Sequence, residues 1–558
     1  MKRIHFLWVV AFLASIIVSS TTNAGVVSGQ AQAAIDVPLY GVYEQAFTAS
    51  SSFTYTTAPA LNATFTGTSG QAAGTSMAVR GFWDGGSSFK VRFSPRLSGT
   101  WQYTTSSDDP GLNGISGAIN VAGRLPEEHA SFHGHVRANP EIPYTLMHQD
   151  GTPFFLMGDT QWSFSTDAIA WPDEFQTYID TRADQGFNYV HGLVYQQWPN
   201  GNDKNEGGQI FKGNNVDDLN PGFFQALDKR IEYMNQKGIV VGFVLAWADE
   251  GWTKFTNETQ VQRYAQYVMD RYGAYNLVWI TAGEYEEATL PGGHNRLGNT
   301  FRDHDPYGHL RTVHTTNTSA DDFGNESWHT LIYQQLHANL GKGIAQDRVH
   351  NKPVVNSEYF YENRESVAQV RQGAWEIVMS GGYFVYGNIA TYHASANMNQ
   401  ANLDSEGARQ STYLANFFTQ KTRWWELQPD HSLVNRDGVF VLSNRGEAYV
   451  VYISGSRRSN RSSVCNEQVS GPITIDLSHV SANEDFYILW YDPKTGEEQI
   501  AGGISGGGPR TLSSPFPGDA ALLLSRSATG FPEDTGFLDS SFSIRAESQV
   551  YLPIVSQC

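Results

Sequence analysis

Between about residue 143 and residue 425, apolar strand-like runs alternate with helical stretches, and few folds accommodate that pattern. The runs are PFFLMGD (153–159), NYVHGLVY (188–195), IVVGFVLAW (239–247), NLVWITAGE (276–284), LRTVHTT (310–316), TLIYQQL (330–336), PVVNSE (353–358) and GYFVYGN (382–388). Helix-like segments such as PDEFQTYIDTRADQG, GFFQALDKRIEYMNQKG and TQVQRYAQYVMDRYG lie between them. Two of these close on the Gly that a left-handed cap favours. Strands buried on both faces read as near-continuous apolar runs. Eight of them over about 280 residues match the period and size of a (β/α)8 TIM barrel.

The flanks read differently. Residues 36–123 carry short alternating runs (SFTYT, MAVRGFW, FKVRFSP, GTWQYTT) separated by turn residues, the pattern of an N-terminal β-sandwich. Residues 125–142 read as a linker. Residues 426–526 return to β character in GVFVLSN, AYVVYIS, ITIDLS and FYILWYD, which predicts a smaller C-terminal β-sandwich. A tail, 527–558, ends in QVYLPIVSQC. The fold class expected is thus multidomain, a central barrel flanked by two sandwiches.

Composition narrows the partners. Charged residues make up only 17% of the chain while aromatics reach 13%, so a dominantly disordered state is excluded. A net charge of −19 repels phosphate backbones and argues against nucleic acid. At the N-terminus, Lys2 and Arg3 precede an apolar run from Phe6 to Val18, with Thr22 and Ala24 before Gly25. That is the pattern of a secretory signal peptide over 1–24, and it predicts a secreted or cell-surface protein with no membrane span after cleavage. Cys465 and Cys558 could pair in an oxidising compartment, but two cysteines make no disulfide framework and no zinc site.

In a barrel of this kind, chemistry sits where the strands end at their C-termini. The polar residues there are Asp159, Tyr195, Trp247, Glu284, His314, Tyr333, Glu358 and Asn388. Glu284 and Glu358 close the fourth and seventh runs, and only barrel closure could bring them together. Two carboxylates facing across a cleft are what hydrolysis of a glycosidic bond requires, one protonated and one ionised. Taken singly, Glu284 in GEYEE is also a solvated acidic loop, and Glu358 in NSEYFYEN is also a helix-start Glu. Asp159 is placed to bind a sugar hydroxyl or to cap a turn. Tyr195, His314 and Tyr333 are candidates to hydrogen-bond substrate or a carboxylate. Trp162, Trp198 and Trp247 offer faces on which sugar rings stack, or they simply pack. HNRLGNTFRDHDPYGH (294–309) reads as a loop after the fourth strand, either facing substrate or solvated.

PFFLMGDTQW, RADQGFNYV, NLVWITAGEY and VVNSEYFYE, in this order, resemble the apiosidase-like (β/α)8 glycoside hydrolases, the group around glycoside hydrolase family 140. The resemblance covers roughly 143–425. It implies an acid after the fourth strand at Glu284 and a nucleophile after the seventh at Glu358. The segment ending in FSPRLSGTWQYTTSSDDPGLNGISGAINV resembles the β-sandwich found ahead of such barrels. The stretch with LWYDPKTGE is similar to a small β-domain type named for collagen binding, which in this architecture would brace the barrel. The chain departs from the family in carrying Ala282-Gly283-Glu284 where an Asp ends a Gly-Gly-Asp. It departs from the wider clan in having Gly283, not Asn, before the acid.

The expected function is a secreted glycoside hydrolase cleaving O-glycosidic bonds of a polysaccharide or oligosaccharide by a retaining double displacement, with Glu284 as acid/base and Glu358 as nucleophile. No cofactor and no metal enter this scheme. The rival reading is a non-catalytic carbohydrate-binding or adhesion protein. A polysaccharide lyase is disfavoured, because the strand ends offer little positive charge to neutralise a uronate. Oligomeric state, sugar and linkage are left open by the sequence.

Overall fold

The computed structural model describes residues 34–195, 204–393, 397–454 and 472–526. Residues 1–24, expected to be a signal peptide, lie outside the described residues, as do Trp198, both cysteines and the tail.

The eight barrel strands are Met157–Thr160, Tyr189–Tyr195, Val240–Ala246, Leu277–Ile280, Leu310–Thr312, Ile332–Gln334, Val354–Asn356 and Tyr383–Asn388. Every residue in them is buried, as near-continuous apolar runs demand. Parallel pairing runs from the fifth strand through the fourth, third, second and first to the eighth, seventh and sixth. The fifth and sixth strands do not pair along their length. Instead the chain after the fifth strand folds back and fills that seam. Ser319 N donates to Tyr333 O, and Gln335 N donates to Asn317 O, both at 2.9 Å. The barrel is therefore nearly closed by hydrogen bonds, with a plugged seam on one side.

Helices Asp173–Asp184, Pro221–Gln236, Glu258–Tyr272, His294–His304, Leu340–Asp347, Val367–Met379 and Glu406–Lys421 lie outside the strands. The first two are followed by Gly186 and Gly238, both left-handed at φ 82° and 80°. His294–His304 corrects the loop expected there. Leu297 and Phe301, four residues apart, form a buried stripe that docks this helix on the barrel. Beyond it, Asp305 and His309 are a buried pair at 2.9 Å rather than a substrate-facing turn.

The N-terminal strands form a five-stranded sheet and a two-stranded one. Phe65 from the first stacks on Phe93 from the second with ring centroids 3.9 Å apart, so the two sheets share a core. An ion network joins this sandwich to the barrel. Asp228, on helix Pro221–Gln236, accepts from Arg92 of the sandwich and from Arg271 of helix Glu258–Tyr272, each at 2.6 Å. Arg271 also reaches Asp84 of the sandwich at 2.9 Å. On the other side, a six-stranded C-terminal sheet packs on helix Val367–Met379. Arg371 pairs with Asp519 at 2.7 Å, and Trp375 stacks on Tyr452 at 4.9 Å. Among the described residues, no helix is long and apolar enough to cross a membrane.

Candidate active site

Glu284 follows the fourth strand by four residues, at the mouth of the barrel. Its backbone is left-handed, φ 35° and ψ 61°, a conformation costly for a residue with a Cβ and most often found at functional sites. What holds it there is local. Gly283 N donates to Ala246 O, and Ala248 N donates to Gly283 O. Trp247 lies against Gly283 so closely that a Cβ at 283 would stand 2.0 Å from its ring. Only Gly fits before the acid, which accounts physically for the missing Asn. Downstream, Glu286 accepts from the Thr315 hydroxyl and from Thr316 N, pinning the turn to the chain beyond the fifth strand. Gln335, just past the sixth strand, donates Nε2 to Glu284 Oε1 at 3.0 Å.

Glu358 enters from the seventh strand and only 13% of its side chain is exposed. One oxygen of Glu284, one oxygen of Glu358 and a ring nitrogen of His314 all lie within 4.8 Å of one another. His314 Nε2 is 3.6 Å from Glu358 Oε2. Burial drives the His314 pKa down to about 3, so this contact is one of a neutral imidazole with a carboxyl and not an ion pair. Burial raises both carboxyls. Glu284 is raised further by Glu287 and by Glu358 across the cleft, against the opposing hydrogen bond from Gln335. Glu358 is held back by Arg364 and by the Tyr361 hydroxyl, both of which favour its ionised form. The environments thus differ in the direction that keeps Glu284 the more acid-bearing of the two.

The same trio also has the donor types that ligate metals, and the buried Nδ1 of His314 has no hydrogen-bond partner among the described residues.

Aromatic rings complete the site. Trp162 is 4% exposed, stacks on His191 at 4.5 Å and meets the edges of Trp247 and His314 at 5.3 Å each. It is floor. Trp247 is half-buried, and its Nε1 donates to Glu287 Oε2 at 3.1 Å. Tyr361 and Tyr392 pack at 4.9 Å beside Glu358.

Of the expected site residues, the structure brings Glu284, Glu358, His314, Trp162 and Trp247 together. It places the other three elsewhere. Asp159 is fully buried on the outward side of the first strand, where Arg182 Nε (2.6 Å) and the Tyr178 hydroxyl (2.7 Å) saturate Oδ2. Strand alternation turns it away and turns its neighbour Thr160 inward, onto His191 at 2.9 Å. Tyr195 is buried against Phe211 and Phe255. Tyr333 points inward but a layer too deep, its hydroxyl bonded to that of Tyr189 below His191 and His314. The site contains residues the strand-end reading passed over, namely Gln335, Glu287, Tyr361 and Arg364. Gln335 was within reach of that reading: it is the final polar residue of the sixth apolar run, two beyond Tyr333.

Solved structures share this architecture. A candidate glycoside hydrolase of Bacteroides vulgatus ATCC 8482 superposes with a TM-score of 0.71 at 19% identity, covering 88% of this chain and 100% of its own. A glycoside hydrolase family 5 protein of the same organism superposes at 0.59 with 22% identity, covering 72% and 94%. No protein with a curated description matches. The barrel fold and the family of the catalytic domain make this a glycoside hydrolase. The profile described as "Apiosidase-like, catalytic domain" matches residues 143–426, and the chain belongs to that family. A second profile, "Domain of unknown function (DUF5060)", matches residues 36–108.

Proposed function

We propose that the protein is a secreted, retaining glycoside hydrolase acting on a polysaccharide, with Glu284 as acid/base and Glu358 as nucleophile. The observation that carries this reading is the convergence of the two carboxyls to within 4.8 Å at their nearest atoms. Retaining enzymes hold the pair about 5–5.5 Å apart, whereas inverting ones leave about 6.5–9.5 Å for a water. In the first step Glu358 Oε attacks the anomeric carbon while Glu284 gives its proton to the departing glycosidic oxygen. Water then enters from the vacated side. Glu284 takes its proton, the hydroxyl attacks the anomeric carbon, and Glu358 leaves. Arg364 and Tyr361 support the ionised nucleophile. Trp247, half-buried beside the two carboxyls, is the proposed platform for a sugar ring. Secretion rests on Lys2, Arg3 and the apolar run that follows.

The test is a panel of aryl glycosides and polysaccharides with wild type, Glu284→Gln and Glu358→Gln. Each variant is expected to lose at least about 10²-fold in kcat. The first-formed sugar, followed by NMR, is expected to keep its anomeric configuration. Inverted product would overturn the nucleophile assignment, and undiminished turnover in either variant would overturn the pair.

A further inference from the structure

Glu284, His314 and Glu358 follow the fourth, fifth and seventh strands. Their carboxylate oxygens and imidazole nitrogen stand within 4.8 Å of one another, and each can give an electron pair to a cation. A tetrahedral zinc ion holds such ligands at about 2.0–2.2 Å, which places them roughly 3.3 Å apart. His314 Nε2 and Glu358 Oε2, at 3.6 Å, are already close to that separation. Glu284 is half-buried at the mouth, so a swing of its carboxyl closes the third side.

The imidazole points to a ligand independently of the acids. Its side chain is fully buried, and neither ring nitrogen has a hydrogen-bond partner among the described residues. A buried polar atom left unpaired is destabilising, and an ion at Nε2 relieves one of the two. Burial keeps the ring neutral, which is the form that ligates. Two ionised carboxyls balance a dication, so no net charge is left in the cleft. One nitrogen and two carboxylates suit zinc and its neighbours in the series. Calcium takes six to eight oxygens, and magnesium a near-ideal octahedron of them.

The outer contacts set how firmly such an ion is held. Gln335 Nε2 donates to Glu284 Oε1 at 3.0 Å and orients that ligand. His314 Nδ1 lacks an equivalent partner. Loss of an outer hydrogen bond typically lowers metal affinity 10–100-fold, roughly, so the ion is exchangeable.

We propose that Glu284, His314 and Glu358 form a site for a divalent ion of the zinc class, and that the ion competes with the sugar by occupying both carboxyls. The site stands on the trio's geometry alone. The competition rests on the reading of Glu284 and Glu358 as acid/base and nucleophile.

Binding is read without turnover by titrating the EDTA-treated, dialysed full chain with zinc chloride in a calorimeter. Glu284→Gln and His314→Gln are each expected to weaken binding at least about tenfold. His133→Ala, at the surface pair with Asp150, is expected to leave it unchanged. Should His314→Gln not fold, Glu284→Gln decides the matter. In wild-type kinetics zinc is expected to raise KM in proportion to its concentration with kcat constant. EDTA should restore KM, and magnesium chloride should have no effect. Zinc binding that survives the trio variants overturns the site, and zinc that raises turnover overturns the competition. Zinc held by the trio in a protein that turns over no glycoside keeps the site and sinks the glycosidase reading. Glycoside turnover in a protein that binds no zinc sinks the proposal and leaves that reading standing.

Discussion

Asp159 and Glu358 are both carboxylates next to barrel-strand ends, and their fates differ because of the side on which each strand presents them. Asp159 faces the helices and is committed to Arg182 and Tyr178. Glu358 faces the cleft with 13% of its side chain open. Asp159→Asn is expected to cost about 3–5 kcal/mol, since it leaves the Arg182 charge buried without its partner. Chemical denaturation measures this, while kcat at a temperature where the variant stays folded should change little. A matching fall in kcat would put Asp159 back in the cleft. This contrast also marks what the sequence could say. Two acids at strand ends 74 residues apart were legible, because barrel topology alone assigns their meeting place. Asp159, Tyr195 and Tyr333 were legible as strand residues but not as to depth or side, which tertiary packing decides. Glu287 and Gln335 gain their roles from hydrogen bonds across separate loops, and no local pattern encodes those.

At the scale of elements, the connection from the fourth strand to its helix does the shaping. Gly283 lets Trp247 lie close against the backbone, and the left-handed Glu284 then turns its carboxyl into the cleft. Gly283→Ala should therefore act on function before stability. The new Cβ displaces Trp247, which carries Glu287 with it, and kcat is expected to fall about 10²-fold, the scale of an ångström-sized misplacement. The melting temperature should move by only a few degrees. Steady-state kinetics beside a thermal melt check both halves. The seam between the fifth and sixth strands belongs to the same logic. His314 and Gln335 close its two sides, so the residues that touch the acids sit where strand pairing gives way to loop. Alternating apolar runs announced eight strands, but they carry no signal for which neighbours go unpaired. Helix His294–His304 shows the opposite case. Its Leu297 and Phe301 spacing was present in a stretch whose His and Asp content pointed to a loop.

Across the whole molecule, the flanking β units are clamped to the barrel by buried ion pairs. Asp228 takes two arginines, one from each side of the N-terminal joint, and they hold its carboxyl well below the ordinary range. A depressed folded pKa adds stability above the unfolded value near 4, and that stability is lost as pH falls through the folded value. Calorimetry at pH 7 should give coupled melting of sandwich and barrel, and acidification toward pH 3 should begin to separate the two transitions. Asp228→Ala is expected to separate them already at pH 7, with a loss of about 3–5 kcal/mol at the joint. A single unchanged transition in that variant would show that the remaining contacts, Arg271 with Asp84 among them, suffice.

The C-terminal clamp reaches further than the joint it closes. Helix Val367–Met379 begins nine residues after Glu358, and its outer face, Arg371 and Trp375, belongs to the C-terminal sheet as much as to the barrel. A barrel cut out at its matched boundaries would present a bare indole and an uncompensated guanidinium on the element that follows Glu358. The catalytic unit is thus not portable: anyone grafting this barrel into another protein must carry the C-terminal sheet with it or rebuild that helix face.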